Sequence, residues 1–213
     1  MAARVKWLGL GLLTTAVAIL AYVVLVRTRP GQVVDAEVMS AILDTVPPPV
    51  GRALAALARP LIFYVLVPLV SLLTLLAVAR RRWGAALAAV VMSAAPGPVC
   101  LQLREHVLTR PDLGVAGYDH NTFPSTHAGA AFGLLVALLL VWPRVPDHAD
   151  VARASFVAAL AMVGNVTSYA HRPADVVGSL LIVLALAWLA AGVFGVRPAR
   201  PRRPRGLRRS SPR

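Results

Sequence analysis

The stretch Asn121-Thr122-Phe123-Pro124-Ser125-Thr126-His127 opens directly into an apolar run, Ala128 to Trp142. A histidine, hydroxyls and a proline at the mouth of a membrane-type helix are poor packing material. They are good material for holding an anion, because a helix N-terminus offers unpaired N–H groups and the positive end of the dipole. The same residues also suit a plainer part, with Ser125 or Thr126 as an N-cap and His127 in the first turn. Taken alone, the block leaves both readings open.

Outward from this block the chain is strongly apolar. Of its 213 residues 58% are hydrophobic, and the mean hydropathy of +0.70 points to an integral membrane protein. Trp7 to Val26 follows Arg4 and Lys6 and ends without a small-residue cleavage pattern, so it reads as a retained anchor helix within residues 1–30. Residues 31–59 are mixed, with Asp35, Glu37, Asp44 and the break Pro47-Pro48-Pro49. Their apolar spacing (Val34, Val38, Ile42, then Leu54, Leu57) predicts two short amphipathic helices at the membrane surface. Residues 60–196 form the expected membrane core. Its spans are Leu61 to Ala79, Ala85 to Leu103 across Pro96-Gly97-Pro98, the short run Ala128 to Trp142, Val151 to Ala170, and Val176 to Val196. With the anchor, that makes an all-α, polytopic bundle of six transmembrane helices.

Charge sets the orientation. The net charge is +13, and eight arginines fall in residues 197–213, spaced by prolines and serines; such a tail cannot bury a core and is expected to be disordered. Beside a hydrophobic span its natural partner is the anionic cytoplasmic leaflet, with no nucleic acid expected. Six spans place both termini, Arg80-Arg81-Arg82 and Arg144 on one side, which the positive-inside rule makes cytoplasmic. The loops after the third and fifth spans then share the opposite, extracytoplasmic face. A single cysteine, Cys100, lies in an apolar run and excludes an internal disulfide and a cysteine metal cluster.

The loop after the fifth span carries a second polar block, Asn165 to Asp175. Pro173 suits the first turn of the last span. Asp175 follows His171 by four residues, close enough to accept a hydrogen bond from one imidazole nitrogen and leave the other free as a nucleophile. Read plainly, Asp175 is a helix-start carboxylate and His171 an interfacial residue. The loop after the third span adds Arg104 and Arg110-Pro111, always-charged planar donors of the kind phosphate recognition favours, although Arg104 also suits a snorkelling helix end.

Together, Arg104 with Arg110-Pro111, Pro124-Ser125-Thr126-His127, and His171 with Asp175 resemble the signature of the type 2 phosphatidic acid phosphatase (PAP2) superfamily, membrane lipid phosphatases related in fold to vanadium haloperoxidases. The resemblance spans residues 104–179. It implies His171 as the nucleophile that carries a transient phosphohistidine, His127 as general acid, and Asp175 as the residue orienting His171. It also implies Arg104, Arg110, Ser125 and Thr126 as phosphate holders, with no metal or cofactor. These roles agree with the demands of phosphoryl transfer, namely in-line positioning and fixed positive donors.

The pattern also departs from the family. Arg104 stands where a lysine is usual, one residue closer to Arg-Pro, and Thr126 stands where glycine is usual. Asn165 replaces an arginine six residues before the nucleophile. Arg172 is expected to supply that missing charge from another direction. The expected activity is hydrolysis of a lipid phosphate or polyprenyl (di)phosphate at the extracytoplasmic face. Two other readings fit the same residues: a weakened relative that binds lipid phosphates without hydrolysing them, and a scaffold or transporter with a polar cavity. A metal site of Asp119, His120, His127 and His171 is a further, weaker one.

Overall fold

A computed structural model describes residues 2–115, 120–144 and 146–196. The arginine-rich tail and Asp119 lie outside the described residues. Everything regular among those residues is helical. Helix α1 (Ala2–Arg27) turns sharply into α2 (Arg29–Thr45), and α3 (Pro48–Ala56) runs through a single π-turn (Leu57–Leu61) into α4 (Ile62–Ala79). Helices α5 (Trp83–Ala94) and α6 (Pro96–Gln102) follow, the latter ending in a second π-turn (Leu103–Val107). The chain closes with α7 (Thr126–Val141), α8 (His148–Thr167) and α9 (Pro173–Val193).

Five stretches are long and apolar enough to cross a membrane: Ala3–Arg27, Pro48–Ala79, Trp83–Val107, His148–Thr167 and Pro173–Val193. The expected sixth span is α7, and it is shorter. At 16 residues it reaches about 24 Å, against roughly 30 Å of hydrocarbon. It tolerates this by sitting inside the bundle, packed on α4, α5, α6, α8 and α9. Ala128, Ala131, Phe132, Leu135 and Ala137 are buried there, with Met92 of α5 and Val183 of α9 in the same core. A helix whose walls are other helices need not present its ends to water on both sides. Large apolar side chains instead face outward on the peripheral α1 (Leu12, Leu13, Ile19) and α4 (Tyr64, Leu72, Leu75), where lipid would cover them.

The segment 31–59 differs from two surface helices. Its second helix, α3, is continuous with the following span, because the π-turn accommodates Pro60 without ending the helix. Its first, α2, is folded back against α1 through a Thr28 cap on the Gly31 N–H (3.1 Å). No side chain fits at Gly31, since a Cβ there would lie 1.9 Å from the Val24 carbonyl oxygen.

The two ends of the bundle can be told apart by contact. At one end Gly84 abuts the Phe194 carbonyl and Gly195 abuts the Arg4 guanidinium, so the start of α1, the start of α5 and the end of α9 meet. The last carbonyls of α7 lie at the same end, where Arg82 Nη1 donates to Trp142 O at 2.8 Å. The opposite end gathers the end of α1 and the starts of α7 and α9, and it carries the polar blocks.

Candidate active site

Helix α9 begins at Pro173, whose missing N–H is not needed in a first turn. Two residues on, the Asp175 carboxylate is fully buried, and a buried charge persists only if it is compensated. Arg110 Nη2 approaches Asp175 Oδ1 at 2.5 Å. Oδ2 accepts from Thr122 Oγ1 (2.6 Å) and from the Arg172 backbone N–H (3.0 Å). His171 Nδ1 stands 3.5 Å from the same Oδ2, long for a hydrogen bond, and has no other hydrogen-bond partner. Catalytic hydrogen bonds are often this loose before substrate binds. All three sequence blocks therefore meet on one carboxylate.

The quoted block is fastened to the same point. Ser125 is the N-cap of α7, accepting from the Ala128 N–H at 3.3 Å, so the plain capping part is real. Its own N–H donates to the Asp175 carbonyl (3.2 Å), and Ser179 Oγ donates to the Ser125 carbonyl (2.9 Å). Phe123 packs against α9 where Gly178 leaves room; a Cβ there would be 2.2 Å from the ring. Asn121 Nδ2 ties the block to the preceding loop through the carbonyls of Arg104 (3.1 Å) and Leu108 (2.8 Å). His127, unlike the buried His171, is exposed at the rim. Arg59, His171 and Arg104 lie near enough for their charge to bear on it. The two histidines thus share one end of the bundle and one electrostatic neighbourhood.

Several supporting residues come from the N-terminal third, which sequence reasoning treated as topology alone. Tyr22 Oη donates to the Thr109 carbonyl at 2.8 Å, and Arg27 Nη1 donates to Thr109 Oγ1. Gln32 Nε2 bridges the carbonyls of Val26 and Pro111, both at 2.9 Å. The bend between α1 and α2 thereby holds Arg110. Asp35 accepts from the Ala174 N–H (2.7 Å) and lies 3.9 Å from Arg172 Nη1, bracing the start of α9. Burial pushes the Asp35 carboxyl up to about 6. Gln32 and Asp35, i and i+3 on an otherwise apolar face, were the sequence trace of this bracing; Thr122 lay in the quoted block without a named role, and Ser179 left no trace.

Other expected residues are placed differently. Arg104 pairs with its neighbour Glu105 at 3.0 Å rather than with Asp175. Arg172 is buried and turned toward Asp35. Asn165 is buried in α8, its Nδ2 donating to the Ala161 carbonyl and its Oδ1 unpartnered. No group of three His, Cys, Asp or Glu side chains that could hold a metal occurs among the described residues. An apolar cavity of about 340 Å³ lies between α4, α7 and α8, lined by Leu57, Leu66, Leu135 and Trp142, apart from the polar cluster.

Buried donors without acceptors remain at this end: Arg110 Nε and Nη1, Arg59 Nε, and Thr126 Oγ1. Native proteins seldom leave such groups unsatisfied, and guanidinium N–H groups beside a helix N-terminus suit a tetrahedral oxyanion. The PAP2 superfamily model matches residues 6–198, well beyond the three motifs. The chain belongs to the PAP2 superfamily. Members of that family are generally phosphatases acting on lipid-like substrates, which agrees with the apolar helices around this polar end. No curated protein and no solved structure matches the chain significantly.

Proposed function

We propose that this PAP2 protein hydrolyses a lipid phosphate or polyprenyl (di)phosphate through a phosphohistidine on His171. The observation that carries the reading is the buried Asp175 carboxylate, shared by His171 and Arg110 while Arg110 keeps two donors unspent. Asp175 lies on the Nδ1 side of the imidazole, which leaves Nε2 to attack phosphorus. The bond from phosphorus to the leaving oxygen breaks, and His127 gives that oxygen a proton from the exposed rim. Water, giving a proton back to His127, then attacks phosphorus as the phosphorus–nitrogen bond breaks, releasing phosphate and restoring both histidines. Arg110, Arg104, Ser125, Thr126 and Arg172 hold the phosphoryl oxygens, and the arginines supply the charge neutralisation that a metal provides elsewhere.

The site lies at the ends of apolar helices, which favours a head group whose chain stays in the bilayer. The cavity between α4, α7 and α8 offers apolar surface for such a chain. Arg80–Arg82 and Arg144 lie at the other end, so the positive-inside rule makes that end cytoplasmic and the site extracytoplasmic. The basic tail then meets the anionic cytoplasmic leaflet.

The test is phosphate release from vesicles carrying a panel of lipid phosphates, with a strong chelator present. Wild-type turnover that vanadate inhibits, and that His171→Ala lowers by at least about 1,000-fold, is expected. Turnover indifferent to His171 contradicts the mechanism. A second reading, binding without hydrolysis, is favoured by Asn165, which is buried and uncharged where the family pattern has arginine. Retained vanadate binding with no phosphate release would select it.

A further inference from the structure

Arg59 was read from the sequence as the edge of an interfacial segment, and the signature motifs do not include it. The structure puts it inside a continuous helix running from Pro48 to Ala79, on the π-turn Leu57–Leu61. Single π-turns within α-helices are frequent at functional sites, because the extra residue redirects a side chain. This turn packs against both α7, which begins with Thr126 and His127, and α8, which precedes His171.

The seating on α8 is close. A Cβ on Gly164 would lie 2.3 Å from the Leu54 carbonyl oxygen and 3.0 Å from Ala58 Cβ. Thr167 Oγ1 donates to the Gly51 carbonyl at 3.2 Å. Residues 51–58 therefore lie along 164–167, and Arg59 follows Ala58 as Asn165 follows Gly164. At that place α8 holds an amide with an unfilled acceptor and no charge. Arg59 Nε is buried without a hydrogen-bond partner, and no carboxylate among the described residues pairs with the guanidinium. A guanidinium nitrogen buried without an acceptor is costly, and an anion that accepts from it removes the cost.

We propose that Arg59 is a further phosphate-binding residue of this site, its guanidinium delivered from the π-turn between α3 and α4 to the part of the site where position 165 carries no charge. The assignment rests on the phosphatase reading for its substrate, though its ligand chemistry, a tetrahedral oxyanion, does not. The missing arginine of α8 is then replaced by one on a neighbouring helix, beside the other arginines proposed for the site.

The experiment compares wild type, Arg59→Ala, Arg59→Gln, Arg59→Lys and His171→Ala, each as the full chain in phosphatidylcholine vesicles. Thermal unfolding is followed with and without orthovanadate, beside phosphate release from a lipid phosphate. Loss of Arg59 is expected to leave unfolding without vanadate nearly unchanged and to weaken vanadate binding at least about 10-fold. Turnover (kcat/KM) is expected to fall about 100-fold, with Arg59→Lys intermediate and Arg59→Gln resembling Arg59→Ala. If Arg59 instead meets bilayer head groups, its loss lowers the unfolding temperature equally with and without vanadate, which overturns the proposal. Equal vanadate affinity in wild type and Arg59→Gln also overturns it, even where His171-dependent turnover confirms the wider reading. Arg59-dependent vanadate binding without any turnover sinks the catalytic reading and leaves this one standing. A wild type that binds no vanadate sinks both.

Discussion

The two ends of the bundle are both rich in arginine and put it to opposite uses. At the end where α1 begins and α9 ends, Arg82, Arg144 and Arg153 have acceptors. Arg82 donates to the carbonyls of Leu140 and Trp142 that close α7. Arg144 and Arg153 share the Asp150 carboxylate, which also completes a capping box with Asp147 at the start of α8. At the other end Arg110 is paired through one nitrogen and has two more buried and unpartnered, while the Arg59 Nε has no partner. Paired guanidinium groups fasten helix ends; buried guanidinium nitrogens without acceptors suit an anionic guest. Counting arginines along the chain would have pointed to the wrong end.

Substitutions at the two ends should therefore separate turnover from stability. After His171→Ala, the largest effect is expected from His127→Ala, which removes the proposed general acid. Turnover should fall about 100- to 10,000-fold with little change in unfolding temperature. The loss should shrink for a substrate with an acidic leaving group, and an equal loss for good and poor leaving groups would deny His127 that part.

Asp35 comes next, because it supports the site without belonging to it. Its carboxyl is raised from 3.8 to about 6, so the native state holds the proton more tightly than the unfolded chain. Between about pH 4 and 6 the native state thus binds more protons, and the Asp35 contribution lowers stability as pH rises, by about 3 kcal/mol at most. Asp175, Arg110 and Arg172 face this carboxyl, and the burial outweighs the two cations. Asp35→Asn removes the titration while keeping an acceptor for the Ala174 N–H. The unfolding temperature of wild type relative to Asp35→Asn should fall from pH 4 to pH 7, and a constant gap would contradict the buried-carboxyl account.

The smallest effect belongs to the paired end. Arg82→Ala leaves the last carbonyls of α7 without their donor and should cost about 1–3 kcal/mol of stability, read as a lower unfolding temperature. Its kcat should be unchanged. A loss of kcat in a stably folded Arg82→Ala protein would break the division between the two ends.

Much of this was legible in the sequence, for reasons that also explain the rest. The apolar runs Trp7 to Val26, Val151 to Ala170 and Val176 to Val196 fall on α1, α8 and α9, with ends shifted by a few residues because caps rather than hydropathy set them. The second span was expected to begin at Leu61, whereas a π-turn makes it continuous with α3 across Pro60. Composition set α7 as a span, and only packing shows that it is a short central helix. Three motifs pointed to one site because motif chemistry is local to each block. The contacts that assemble it are not local. Asp35 reaches Ala174 across 139 residues and Gln32 reaches Pro111 across 79, and no spacing rule links them. Arg59 was missed for the same reason, its importance residing in the helices it lies between.

The account stands on His171 as the atom-bearing nucleophile at the unpaired end. The most direct test is to quench the wild-type protein in alkali during turnover of a lipid phosphate labelled on phosphorus, then locate the label. The account predicts base-stable, acid-labile label on the peptide containing His171, absent from His171→Ala and accumulating in a variant whose second step is slowed. Label confined to another residue, or full turnover with no labelled protein at any quench time, would contradict it.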